Sequence, residues 1–247
     1  MATEKNLDAL HIDSVSVSYG KTRVIKELSL DIKVGETFGL IGLNGVGKTT
    51  LIKSILGLRQ YDGGSITIKG LHHTDPESKK HLAFLPERFD PPSFLSGLEF
   101  LAFSARLYNL PFDKERAFRL SSSLALDPAV LANRVNTYSK GMRQKLGLLA
   151  TLITDCTLMI LDEPMSGLDP QARAFVKDAL RQVKEEGRTI FLSSHILSDM
   201  NEICDRVAVL SQGTLIYTGT PAGLLEAGHD GNIERAFLNL LHDRQAA

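Results

Sequence analysis

Between residues 42 and 50 the chain reads Gly42-Leu43-Asn44-Gly45-Val46-Gly47-Lys48-Thr49-Thr50, with an apolar run before it and a helical pattern after it. Residue types at this spacing point to phosphate chemistry. Glycines let successive backbone N–H groups turn inward, and the start of a helix adds partial positive charge, so such a loop wraps phosphate oxygens. Lys48 would bring a point charge to the outer phosphates, and the Thr49 hydroxyl would offer a ligand for Mg²⁺. A glycine-rich turn that binds nothing is the alternative, and the strand-to-helix context argues against it. A second stretch, 158–164 (LMILDEP), ends an apolar run in two adjacent carboxylates, Asp162 and Glu163. Doubly wound sheets hold their ligands at the C-terminal ends of such strands. There Asp162 would hold Mg²⁺ through water, and Glu163 could orient or deprotonate an attacking water. Acidic residues also suit a helix start, a reading that loses ground beside a phosphate loop.

These residues need a sheet to carry them. Residues 10–19 and 23–32 alternate apolar and polar types with turn residues between, which predicts antiparallel strands. TFGLIG (37–42) is a short apolar run of the kind buried in a parallel sheet. Further strands are expected at 65–70, 82–86, 157–161 and 189–194, and a hairpin over 206–219 turning at Gln212–Gly213. Helices are expected from the phosphate loop to about Leu58, across 94–127 with prolines as breakers, and over 139–153, 170–186 and 196–204. In the tail, Ile233, Ala236, Phe237, Leu240 and Leu241 form one face of a short helix. Strands alternating with helices make an α/β sheet, and the helical block at 94–153 stands apart as a lobe.

Composition narrows the classes. At about 150 residues per domain, 247 residues suit one domain with an inserted lobe. Lys and Arg number 28 against 29 Asp and Glu, which argues against coating of nucleic acid by bulk charge and leaves only a local basic patch open. Cys156 and Cys204 are too few for a disulfide framework and lack metal-ligand spacing, so both read as reduced packing residues. The most apolar stretch, 146–161, is interrupted by Asp155 and falls short of the ~20 residues a membrane span needs. Residues 1–8 lack the apolar core of a secretion signal. The expectation is a chain kept in the cytoplasm.

Three further runs stand in order with the two motifs: YSKGMRQKLGLLA (138–150), SGLDP (166–170) and SSH (193–195). In this order, over about residues 10–227, the chain resembles the nucleotide-binding subunit of an ATP-binding-cassette (ABC) transporter. Its S-K-G-M-R-Q form, TPAGLL (220–225) and tail helix are most similar to the ABC-2-type exporters of drugs and polysaccharides. The resemblance implies an α/β P-loop NTPase (ABC ATPase) core with an antiparallel β subdomain and an inserted α-helical subdomain. Within a single domain, 1–86 and 154–227 would form the RecA-like core with its β subdomain. Residues 87–153 would form the helical subdomain with the signature motif, and 228–247 a C-terminal helix. The implied cofactors are ATP and Mg²⁺, and the implied activity is ATP hydrolysis coupled to transport.

Residue by residue, the resemblance makes Gly42 to Thr50 the ATP-binding loop and Tyr19 the aromatic that stacks on adenine. Without the family, Tyr19 is an edge-strand tyrosine. Glu163, His195 and Lys48 would carry catalysis, and Thr49, Asp162 and Glu87 would attend the metal. Ser139 and Gly141 would reach the γ-phosphate bound by the other subunit of a head-to-tail homodimer or heterodimer. Physically they open a helix, where a hydroxyl, bare amides and a helix dipole face outward together. Asp169 would act across that interface, although Asp before Pro170 also caps a helix. Glu87 departs from the family, which commonly has glutamine there. A carboxylate can ligate Mg²⁺ but brings negative charge beside phosphate.

The implied partner is a separate transmembrane permease, with the chain peripheral on the inner face of the membrane and no nucleic acid involved. The rival is a soluble ABC-type ATPase acting on ribosomes or DNA. A helix from Gly97 to Leu110 would carry two apolar stripes: Leu98, Leu101, Ala102, Ala105 and Tyr108 on one face, and Phe100, Phe103, Leu107 and Leu110 on the other. Such a helix is either packed on all sides or offers a docking face.

Overall fold

The computed structural model of the chain describes residues 8–246. The reading of the N-terminal residues as lacking a secretion signal therefore lies, up to residue 7, outside the described residues. In chain order the strands are β1 (Asp8–Tyr19), β2 (Thr22–Lys33), β3 (Thr37–Ile41), β4 (Gly63–Ile68), β5 (Leu71–His72), β6 (Leu82–Leu85), β7 (Leu158–Asp162), β8 (Thr189–Ser194), β9 (Arg206–Ser211) and β10 (Thr214–Gly219). The helices are α1 (Lys48–Ile55), α2 (Pro76–Lys79), α3 (Gly97–Leu107), α4 (Lys114–Ser123), α5 (Lys140–Leu152), α6 (Pro170–Glu185), α7 (Leu197–Ile203), α8 (Pro221–Ala227) and α9 (Ile233–Ala246).

One sheet is antiparallel, in the order β2-β1-β4-β5. Alternation along β1 and β2 buries Leu10, Ile12, Val15, Val17, Ile25, Leu28, Leu30 and Ile32 on one side. That face packs with α1 and with Phe38, Leu40 and Phe191 of the second sheet in one apolar cluster. The second sheet runs β10-β9-β3-β8-β7-β6 and is parallel from β9 to β6. Every residue of β3, β7 and β8 is buried, which is why these strands read as continuous apolar runs rather than alternating ones. At the β9–β10 turn Gln212 and Gly213 both have positive φ (47° and 84°), the geometry that favours a two-residue hairpin loop.

Because β3, β7 and β8 are parallel, their C-terminal ends meet at one edge: Ile41 pairs with Ser194, and Asp162 with Ser193. On α1, Leu51, Ile52 and Ile55 are fully buried. At roughly 1.5–3 kcal/mol each, this burial fixes the helix that starts from the glycine-rich loop.

Helices α3, α4 and α5 pack around Leu101, Ala105, Ala117, Leu146 and Leu149. A capping box of Ser96 and Glu99 starts α3 at Gly97. It ends at Leu107, not at Leu110 as the sequence predicts, because Asn109 takes a left-handed conformation (φ 58°) just before Leu110-Pro111. The first predicted stripe is buried or partly buried throughout, with Leu101 and Ala105 in the core, whereas burial splits the second: Phe100 is buried, while Phe103 and Leu107 are 50% and 66% exposed. The tail helix α9 buries Ile233, Ala236, Phe237 and Leu241, with Leu240 partly buried, against α7 and α8. Periodicity does not mark the short α2, β5 and α8 as separate elements. They are too brief to show one.

Candidate active site

The glycine-rich loop links β3 to α1. Gly42 has no room for a side chain, since a Cβ would stand 2.8 Å from both the Leu210 carbonyl oxygen and Val46 Cγ2. Gly47 caps α1 with φ 115°, and a Cβ there would stand 2.8 Å from Ile25 Cδ1 of β2. Only glycine holds both corners. No side chain caps α1 and its first turn has no acidic residue, so its first N–H groups remain available to an anion.

Lys48 is buried, and its Nζ donates to the Gly42 carbonyl at 2.6 Å while lying 3.5 Å from Glu163 Oε1. The β7 carboxylate Asp162 is held at both oxygens: Thr49 Oγ1 donates to Oδ2 at 3.0 Å and Ser193 Oγ to Oδ1 at 2.5 Å. Glu163 takes a left-handed backbone conformation (φ 52°). Its N–H reaches the Ser193 carbonyl at 3.2 Å and Ser193 Oγ at 3.1 Å. This is strain held at the residue proposed to do chemistry. With the proton on Nδ1, His195 donates to Glu163 Oε2 at 2.8 Å. Glu163 Oε1 is buried and, among the described residues, accepts no hydrogen bond, because the lysine 3.5 Å away is placed for charge rather than for a bond.

Loop and strand ends enclose a cavity of about 310 Å³. Its walls are Leu43, Asn44, Gly45, Gly47, Lys48, Thr49, Thr50, Glu87, Asp162 and Glu163. Val46 is half-buried and braces the loop from behind. The predicted loop residues, both carboxylates, Glu87 and His195 thus meet at one place, with His195 reaching it through Glu163. Tyr19 does not line the cavity. It ends β1, is 46% exposed, and carries the Arg59 guanidinium 4.1 Å from its ring centroid. Ser139, Gly141 and Asp169 are also outside it. Ser139 and Asp169 are exposed helix caps, accepting from the N–H of Met142 (3.2 Å) and Ala172 (2.8 Å). Ser193, which bonds both Asp162 and the Glu163 N–H, stands in the SSH run, where the motif draws attention only to the histidine.

The donor set fits a nucleotide with a divalent cation. A hydroxyl and a carboxylate oxygen lie 3.0 Å apart on Thr49 and Asp162, hard oxygen ligands of the kind Mg²⁺ takes. The orphaned Glu163 oxygen and the Lys48 ammonium stand 3.5 Å apart in the lining of the cavity where phosphate would lie. Residues 25–166, more than half the chain, match the family model described as ABC transporter. The chain belongs to the ABC transporter family.

Relatives within this family include an ABC transporter ATP-binding protein of Synechocystis sp., 40% identical over 87% of this chain. The chain spans 61% of that relative's length. A Nod factor export ATP-binding protein I of Burkholderia orbicola is 36% identical over 87% of this chain and 71% of its own. A linearmycin resistance ATP-binding protein of Bacillus subtilis is 32% identical over 87% and 70%. A solved structure described as the ATP binding subunit of an ABC transporter superposes with a TM-score of 0.87 at 30% identity, covering 94% of this chain and 99% of that one. The fold is that of an ABC ATPase subunit, as the motifs imply. Among the described residues no helix is long and apolar enough to cross a membrane.

Proposed function

We propose that the chain binds and hydrolyses ATP with Mg²⁺ and powers an exporter whose transmembrane permease is a separate polypeptide. The observation that carries this reading is the Lys48–Glu163–His195 cluster beside the Thr49–Asp162–Ser193 cluster at one strand edge. Lys48 exchanges the Gly42 carbonyl and Glu163 for the outer phosphates of ATP, which frees Glu163 Oε1 to receive a water. Glu163 takes a proton from that water as its oxygen bonds to the γ-phosphorus and the bond to the bridging β–γ oxygen breaks, leaving ADP and phosphate. His195, donating to Oε2, keeps the carboxylate turned to the water, and Ser193 holds Asp162 and the Glu163 backbone in register. Thr49 and Asp162 would hold Mg²⁺, which supplies charge neutralisation at the phosphate oxygens, with Glu87 at the rim as a further oxygen.

In this reading, Ser139 and Gly141 at the exposed start of α5, with Asp169 at the start of α6, complete the site of a second ATPase subunit. The chain would divide into the three parts the motifs imply: 1–86 with 154–227 as core, 87–153 as helical lobe, and 228–247 as tail. Export is favoured over import by the names of the Nod factor and linearmycin relatives. The permease would dock on the Phe94–Leu110 surface, at the exposed Phe103 and Leu107 of α3, where Leu107 also lines an apolar groove of about 690 Å³ with Leu56, Leu58, Leu82 and Phe84. Docking there places the subunit on the inner face of the membrane. Glu163→Gln tests the core of this reading, being nearly isosteric and removing only the base. It should bind ATP, lose turnover by about 10²–10⁴-fold, and accumulate a dimer with Mg·ATP in light scattering. A monomer that binds ATP and still hydrolyses it would remove Glu163 from its role.

A further inference from the structure

The cavity at the strand edge has room for phosphates, and it leaves the base of a nucleotide to Tyr19, outside the cavity. That tyrosine is not alone. Arg59, in the segment that leaves α1, lays its guanidinium 4.1 Å from the centre of the Tyr19 ring. Its Nη2 donates to the Ser18 carbonyl, next to Tyr19 in β1. Its Nε is buried and, among the described residues, donates to nothing, so hydrogen bonding alone does not account for where the side chain lies. The ring does, since a guanidinium over an aromatic face is attracted by the ring quadrupole. The backbone around Arg59 is equally tied down. The N–H groups of Leu58 and Arg59 both end on the Lys53 carbonyl in the last turn of α1, and Asp62 N–H ends on the Ser16 carbonyl of β1. The helix whose first turn opens on the phosphate cavity therefore also carries, past its last turn, the cation that holds Tyr19.

We propose that Arg59 is a positioning residue for the nucleotide base: its guanidinium backs the Tyr19 ring, fixes it at a set distance from the phosphate loop through α1, and leaves the opposite ring face for adenine. The proposal rests on the reading of Tyr19 as the base platform. Two physical effects act together. A ring clamped on one side loses little side-chain freedom when a base stacks on the other, so less entropy opposes binding. A cation behind the ring also draws electron density from the front face, which lowers its repulsion with the electron-rich face of a purine. Charge on Arg59 is what matters, so lysine should substitute in part and an uncharged side chain of similar length should not.

The test uses the full chain and calorimetry with Mg²⁺ and two probes, ATP and tripolyphosphate, which lacks a base. Arg59→Met should weaken ATP about threefold to tenfold, leave tripolyphosphate within twofold, and raise KM with little change in kcat. Arg59→Lys should recover at least half of that loss on a logarithmic scale. In a Tyr19→Ala background, Arg59→Met should change ATP affinity by less than twofold, because its effect passes through the ring. An equal loss with and without Tyr19, or an equal loss for tripolyphosphate, would show that Arg59 only supports the end of α1 and would overturn the proposal. A gain in ATP affinity would overturn it too, since Arg59 would then be covering the base's own face. If Tyr19→Ala by itself leaves ATP affinity unchanged, the base platform reading fails and the proposal with it. If only the Arg59 arms fail, that platform stands.

Discussion

Lys48 and Glu163 are each about 6% exposed at the side chain and stand 3.5 Å apart. Two unit charges at that distance attract by roughly 5 kcal/mol at an effective dielectric constant of 20. Desolvation of both groups offsets much of this, so a coupling of about 1–3 kcal/mol is expected between them in the nucleotide-free protein. Lys48→Ala leaves Glu163 Oε1 buried without a counter-charge, and Glu163→Gln does the same to Lys48. Each should lower the nucleotide-free Tm by roughly 3–10 °C, at about 2–4 °C per kcal/mol for a chain of this size. Lys48→Ala combined with Glu163→Gln should lower Tm by less than the sum of the two, because no buried charge is then stranded. Nucleotide binding separates the roles. Lys48→Ala loses a charge-assisted contact to phosphate worth ~1.5–3 kcal/mol, or roughly ten- to more than a hundredfold in ATP affinity. Glu163→Gln should keep or improve affinity, because Lys48 no longer has to leave a carboxylate. Thermal unfolding and calorimetry on the three variants measure all of this. Additive Tm losses would refute the pairing, and unchanged ATP affinity in Lys48→Ala would mean that the phosphates lie elsewhere.

Glu87→Gln removes a negative charge at the cavity rim, so it should shift the Mg²⁺ dependence of ATPase or its coupling to transport more than it shifts ATP affinity. An unchanged Mg²⁺ titration, coupled turnover and export would reduce Glu87 to a loop residue. Leu107→Ser and Phe103→Ser alter residues 66% and 50% exposed, so folding and ATP binding should hold while permease association in a pull-down falls. Unfolding of both variants, or intact association, would refute docking there. Burial pushes the His73 imidazole down to about 4, helped by neighbouring His72 and Lys79. The unfolded chain then takes the proton first, so stability should hold above about pH 6.5 and fall by roughly 1–2 kcal/mol towards pH 5. In urea melts His73→Phe should remove that part of the pH dependence. An identical pH profile for this variant would clear His73 of the effect.

Local spacing made the core of the site legible. The glycines, Lys48 and Thr49 are neighbours in sequence and in space, and Asp162 and Glu163 end a strand whose buried neighbours force a continuous apolar run. Such features are visible because their physical cause acts within a few residues: backbone freedom at glycine, a helix start, the period of a strand. Helix α3 ends three residues before the apolar spacing predicts, because that spacing continues to Leu110 after Asn109 has already turned the backbone out of the helix. Only the tertiary structure decided that Ser193 supports Asp162, 31 positions earlier, that Lys48 rests on Glu163, and that Arg59 reaches back to the Ser18 carbonyl across 41 positions and covers Tyr19. Those pairings depend on which strand ends become neighbours in the parallel sheet and on where α1 stops against β1. Nothing in the spacing of a single segment encodes either, since each is set by burying separate apolar runs against one another.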